Sequence, residues 1–292
     1  PQVCDWDGDG DMDVVTGGSD AYILFFENRG TNSLPVFAEP VEMQAGGDVI
    51  ELMAGPDGSV QGPKEAYWGY NNPEVVDWDV DGDLDLIVSG IRGDHTLFDN
   101  VGTRDGPVLT SARKIEVQWQ GSPLRPPWLP YTAESNELVT VWRSRPEALD
   151  WNGDGLVDYV CLDHTGNLAL YQRYREGEEL KLAPGKNIFA WDKGSSGLRI
   201  WSRQPGAVGG GSGRTVINLV DWDGDGDHDL IADCMNARLY ENVADDAGPR
   251  FVDRGDLVSE RLVNHNTGPC VVDWDGDGML DLFVGAESGQ IY

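Results

Sequence analysis

The chain is 292 residues long and carries 51 acidic against 21 basic side chains, a formal net charge of −30. So acidic a chain, with no basic stripe, excludes nucleic-acid binding, and the lack of any long apolar run excludes membrane insertion by a helix. Its four cysteines (Cys4, Cys161, Cys234, Cys270) show neither zinc spacing nor a dense disulfide framework and read as buried free thiols, although Cys4 and Cys270 would approach each other if the repeats close into a ring.

The chain opens on a nonapeptide that recurs four more times. Residues 5–13, 77–85, 150–158, 221–229 and 273–281 all read Asp-Trp-(Asp/Asn)-x-Asp-Gly-x-x-Asp. Oxygen ligands at positions 1, 3, 5 and 9, a backbone carbonyl at 7 and a glycine at 6 for the sharp turn suit a hard cation of calcium size. The first copy offers the carboxylates of Asp5, Asp7, Asp9 and Asp13 and the carbonyl of Asp11. The second offers Asp77, Asp79, Asp81 and Asp85 with the carbonyl of Asp83. In the third, Asp150, Asn152, Asp154 and Asp158 join the carbonyl of Leu156, so one charge is dropped but no oxygen. The fourth uses Asp221, Asp223, Asp225, Asp229 and the carbonyl of Asp227; the fifth uses Asp273, Asp275, Asp277, Asp281 and that of Met279. About one Ca2+ per repeat is therefore expected, leaving a net charge of about −20.

An EF-hand would place a glutamate at position 12, where these repeats have Thr16, Val88, Cys161, Ala232 and Val284. The residues leaving each loop read as strands, as in 85–89 and 281–285, so each loop joins two strands. Around it the same order recurs: an apolar strand in (73–76, 216–220), a strand out, a tight turn, a third strand (22–28, 237–242), a Gly/Pro turn and a fourth strand (35–37, 249–252). Four antiparallel strands repeated radially predict an all-β propeller of four-stranded blades, one domain over 1–292, with units starting near 1, 73, 146, 216 and 269. The last unit stops inside its third strand, so the five repeats are read as part of a ring of seven or eight blades.

The calcium loop together with a Leu-Tyr-Glu-Asn-Val strand resembles the FG-GAP/VCBS-type repeats that build the propellers of integrin alpha subunits, some fungal lectins and propeller-type polysaccharide lyases. The resemblance covers all five units and implies the fold and calcium, in an extracellular or periplasmic setting. It does not imply one function, because members of the family bind, adhere or catalyse.

In such a blade the calcium loop lies on one face, and the second turn and the inter-blade connection on the other. The long insertions fall on the second face: 53–72 with Trp68 and Tyr70, 118–146 with Trp128, Trp142, Arg143 and Arg145, 189–214 with Trp201 and Arg203, and 260–268 with His265. The turns of that face add His95 and His164, whereas His228 belongs to a calcium loop and reads as solvent-exposed. Aromatic rings stack on sugars and arginine forks hold carboxylates, which points to an acidic polysaccharide or other glycan as partner. Hydrolysis would need paired carboxylates, and Asp94, Asp163 and Glu134 form no evident pair. β-Elimination needs a base, an acid and a carboxylate clamp; His95 or His164, Tyr70, and Arg143 or Arg203 fill those roles in one reading, with Trp68, Trp128, Trp142, Trp201 and His265 contacting the sugar. The unequal loops of this face favour one asymmetric site, hence a secreted polysaccharide lyase acting on uronate. The alternative is a non-catalytic carbohydrate-binding or adhesion propeller; a lone Arg92-Gly93-Asp94 adds little to the adhesion case.

Overall fold

The second strands of the second and third repeats are almost continuously apolar because both of their faces are covered. In Asp85–Ser89, Leu86 and Val88 enter one hydrophobic cluster and Ile87 another. In Asp158–Leu162, Tyr159 and Cys161 face the cluster that holds Ile87, while Val160 and Leu162 face a third. Successive side chains point to opposite faces of a strand, so each sheet feeds alternate residues to its two neighbours. The cores lie between sheets, which is the packing of a propeller.

The computed structural model describes residues 1–129, 131–191, 216–233, 236–244, 248–259 and 267–286. Blade one pairs Gln2–Cys4, Asp13–Gly17, Ile23–Phe26 and Val41–Glu42 in order, and blade two Asn72–Val76, Asp85–Ser89, His95–Phe98 and Arg113–Lys114. The fourth strands are shorter and later than expected: Phe37 makes only an isolated bridge to Asn28. Blade three has Glu147–Leu149, Asp158–Leu162 and Leu168–Tyr171, with Lys186 bridging Leu170 at its edge and a separate hairpin, Arg173–Glu176 with Glu179–Leu182, turned away from the sheet. Blade four has Val216–Val220, Asp229–Asp233, Arg238–Asn242 and Arg250–Asp256, and takes Ala190–Trp191 as a parallel fifth strand. The fifth unit is described as one hairpin, Thr267–Val272 with Asp281–Ala286. A single 3-10 turn, Pro63–Glu65, is the only helical element among the described residues.

The five innermost strands adjoin in a cycle, with Gln2–Cys4 against Thr267–Val272. The first and fifth units therefore meet directly among the described residues. The diverging inner strands are tied by the side chain three residues before each loop. Gln2 bonds Glu74, whose Oε1 accepts the Ala148 N–H at 3.2 Å. Glu147 accepts from Asn218 Nδ2 at 3.1 Å, and Asn218 Oδ1 from the Val271 N–H at 3.2 Å. The Cys270 thiol meets the backbone of Val3 and completes the circuit. Cys4, Cys161 and Cys270 are free thiols, Cys4 being only half-buried; Cys234 lies outside the described residues.

The segment 140–145, wholly buried, ties this ring from the second insertion. Ser144 O accepts from Ser89 Oγ at 2.7 Å, and Arg145 donates to the carbonyls of Pro269 (3.4 Å) and Pro1 (3.3 Å) while its Nε lies 3.9 Å from Glu147. Two buried carboxylates, Glu74 and Glu147, thus share one guanidinium. Burial pushes both carboxyls up, Glu147 to about 7, with Arg145 opposing the shift. Folded protein then keeps a proton that the unfolded chain releases in the ordinary carboxylate range, so this stabilisation is full at low pH and is lost as pH rises toward 7. Glu147→Gln is expected to flatten that decline and to be more stable than wild type above pH 7, as read from denaturant midpoints across pH; a parallel profile for the two proteins would remove the assignment.

Candidate functional site

Each repeat is organised around the aspartate at position 9. Asp13 Oδ2 accepts the Trp6 N–H at 3.0 Å and its Oδ1 the Asn28 N–H at 2.8 Å. Asp85 does the same with Trp78 (2.8 Å) and Asn100 (2.7 Å), and Asp229 with Trp222 (3.1 Å) and Asn242 (2.7 Å). The asparagine then passes the link outward: Asn100 Oδ1 accepts from Gly102 (3.0 Å) and Val108 (2.8 Å), as Asn28 does from Gly30 and Val36. Burial raises these carboxyls, Asp13 and Asp85 to about 6, against the backbone donors that lower them.

The loops converge oxygen atoms. One oxygen from each of Asp5, Asp7 and Asp13 lies within 4.8 Å of the others, and the same holds for Asp77, Asp79 and Asp85, for Asp221, Asp223 and Asp225, and for Asp273, Asp275 and Asp281. Ligands about 2.4 Å from a common hard cation span at most about 4.8 Å, so these donor sets fit one. In loops two to five the position-1 carboxylate accepts loop amides, as Asp77 does from Asp81 (3.0 Å) and Gly82 (3.1 Å). Asp5 differs, pairing instead with Arg104 of blade two at 3.1 Å. In loop three Asn152 Nδ2 donates to Asp154 at 3.0 Å, while the buried Asp158 Oδ2 has no hydrogen-bond partner.

Two members of the predicted acid–base constellation, His95 and Arg143, are buried in contacts within the fold. His95 is fully buried, with Nδ1 2.8 Å from Tyr159 Oη and Nε2 2.9 Å from Thr140 Oγ1. Burial lowers its imidazole to about 3, so it is a neutral core residue and no base for a bound sugar. Arg143 is no free carboxylate clamp: it is buried, donates to Glu65 Oε1 at 2.9 Å and lies over Tyr70 (3.7 Å) and Trp142 (4.6 Å). Trp142 is buried as well, and the half-buried Trp128 packs against the core between blades three and four. Tyr70 sits edge-on to Trp68 at 5.6 Å, and among the described residues Trp68 is the one predicted sugar-stacking residue that is exposed, at 43%. His164 lies half-buried in the turn that Asp163 caps. Asp94 is held by Lys114 at 2.7 Å. His228 is half-buried and stacked on Trp151 at 5.5 Å, not solvent-exposed. Arg203, Trp201 and His265 lie outside the described residues.

What the structure does form is a groove of about 920 Å³ between blades two and three. Its base is Trp78 with the Arg173 guanidinium 3.8 Å above the ring; Arg113, Lys114, Ile115 and Gln118 line one wall and Leu180 and Lys181 the other. Arg173 stands where the other units have Asn28, Asn100 and Asn242. That substitution, visible on aligning the repeats, was the available signal for this groove. A smaller cavity of about 130 Å³ lies between Met53, Arg92 and Lys114.

No protein-family model and no curated protein matches the chain. Among solved structures it is similar to an Agrocybe aegerita lectin whose description is specific recognition of non-reducing terminal N-acetylglucosamine: 17% identity over 99% of this chain and 61% of the lectin chain, TM-score 0.44. It is also similar to the Tc holotoxin pore of Photorhabdus luminescens, at 15% identity over 99% of this chain and 13% of that one, TM-score 0.42. The chain thus spans about three fifths of the lectin's length. The class is an all-β propeller, on the strength of its own sheet order and cyclic packing.

Position 4 of every loop is left-handed: Gly8, Gly153, Gly224 and Gly276 have φ of 77, 72, 77 and 74°, and Val80 takes φ 65° in loop two. Gly8 is also required by space, since a Cβ there would stand 2.7 Å from Asp105 of the adjoining blade. For a β-branched residue this conformation is strained by about 1–2 kcal/mol. Val80→Gly is therefore expected to gain about 1 kcal/mol in chemical denaturation; a loss of stability would show that the valine side chain contributes more than its backbone costs.

Proposed function

We propose that this propeller is a calcium-stabilised, non-catalytic glycan-binding module, and that the groove between blades two and three is its site. The observation that carries the reading is the groove itself: concave, open to solvent and walled by polar and charged side chains that can hydrogen-bond the hydroxyls of a sugar. The exposed Tyr67 and Trp68 on the first insertion offer an aromatic contact surface. β-Elimination loses one of its two candidate bases, because His95 has no access to substrate. The loop carboxylates fit calcium as FG-GAP/VCBS-type repeats hold it: Asp5, Asp7 and Asp13, and their counterparts in the other loops, would bind the ion, which would relieve their mutual repulsion. A need for calcium at extracellular levels fits a secreted or periplasmic protein.

Two measurements test this. A glycan array probed in calcium buffer should show saturable binding to a defined sugar, while ulvan, rhamnogalacturonan, alginate and glucuronan should show no growth of the ultraviolet absorbance of an unsaturated uronate. Growth on any of them would restore the lyase reading, and an array without binding would remove the glycan reading. Separately, chelation should lower the melting temperature and calcium should restore it where equal magnesium does not, because only the larger ion tolerates this crowded oxygen shell; an unchanged melting temperature would refute metal stabilisation.

A further inference from the structure

Three of the four cations that line the groove are already neutralised. Arg113 holds Asp99 through two hydrogen bonds of 2.6 and 2.7 Å, Lys114 holds Asp94 at 2.7 Å, and Lys181 holds Glu179 at 3.2 Å. Arg173 has no carboxylate partner among the described residues. It is 5% exposed, its Nη2 donates to the carbonyl of Trp78 at 3.1 Å, and its Nε and Nη1 have no hydrogen-bond partner among the described residues. A buried guanidinium with unmatched N–H groups is costly, and burial already pulls it down to about 10. Such a group at the base of an open groove is a prepared receptor for an oxyanion, because a guanidinium fork matches a carboxylate or sulfate.

We propose that the groove takes an acidic sugar residue, its carboxylate or sulfate ester seated at Arg173 and its ring between the walls. The inference rests on the glycan-binding reading above and narrows it to anionic glycans. The rim limits which ones. Glu116 and Glu134 border the same groove. A densely charged chain would bring several anions against these two carboxylates, whereas a single acidic residue flanked by neutral sugars meets only the cation at the base. The favoured ligand is therefore a sparsely charged glycan.

The test is an NMR titration of the intact chain, in calcium buffer, with methyl glucuronide, methyl glucoside and polygalacturonate. Wild type should bind the glucuronide about tenfold or more tighter than the glucoside, the size of one charge-assisted pair, and polygalacturonate no tighter per acidic residue than the glucuronide. Arg173→Gln should abolish the difference between the two monosaccharides. Because Arg173 also packs on Trp78, the exposed Ala112 at the groove rim supplies a second variant: Ala112→Trp should fill the groove, lose both monosaccharides and melt as wild type does. Equal affinities in wild type overturn the inference, as does a glucuronide preference that survives in either variant. If array glycans bind while the monosaccharides show no preference, only this inference falls; if nothing binds, the glycan reading falls with it.

Discussion

The first four repeats of this fold hang on one buried carboxylate each. In blades one, two and four the position-9 aspartate receives the N–H of the loop's tryptophan on one oxygen and the N–H that ends the third strand on the other. A single side chain thereby fixes the loop against the sheet's outer half, and the geometry leaves the other loop carboxylates gathered on one side. Those same contacts place the tryptophan in the seam with the following blade, where Trp6, Trp78, Trp151 and Trp222 each join an inter-blade cluster and Trp274 meets Phe37 of blade one at 6.3 Å. Burying Asp13, Asp85 and Asp229 in this way is tolerable because both oxygens of each are matched by backbone donors.

The periodic part of this design was legible in the sequence because it is local. Ligand spacing, the loop glycines and the strand that follows are set within about a dozen residues, so the nonapeptide announced both the loop and the class of fold. The site was not legible, because it depends on contacts between blades. His95 was placed at a turn on an open face; the segment 140–145 covers it and Thr140 takes its Nε2. Arg143 and Trp142 looked like loop residues over a funnel, but the buried charge of Glu65 and the ring of Tyr70 draw them inward. In both cases an insertion was spent on tying the repeats together, and nothing in its composition distinguished that from binding a ligand.

The candidate groove lies where one repeat breaks the rule of the others. Three units end the third strand with an asparagine that carries the link outward to the fourth; the third unit has Arg173, its outer strands detach as a hairpin, and a groove opens beside the seam. The arginine still serves the repeat through its backbone N–H, which Asp158 accepts at 2.7 Å. Its side chain is released from that duty, and reaches across to the tryptophan of blade two. One substitution at a structural position thus converts a closed corner into a recess with a charge at its base.

The placement of the cores between sheets has a consequence for how such a chain can be cut or extended. No blade owns a core: Ile87 and Tyr159 share one cluster although they belong to different sheets, and Ala190–Trp191 leaves one unit to complete the edge of the next. A unit excised at its sequence boundaries would carry two bare half-cores and leave two more behind. Folding of the ring is accordingly collective, dominated by pairings such as that of Trp274 with Asn32, 242 residues apart, which only a nearly complete circle can make. A propeller of this kind changes its number of blades in whole steps or not at all.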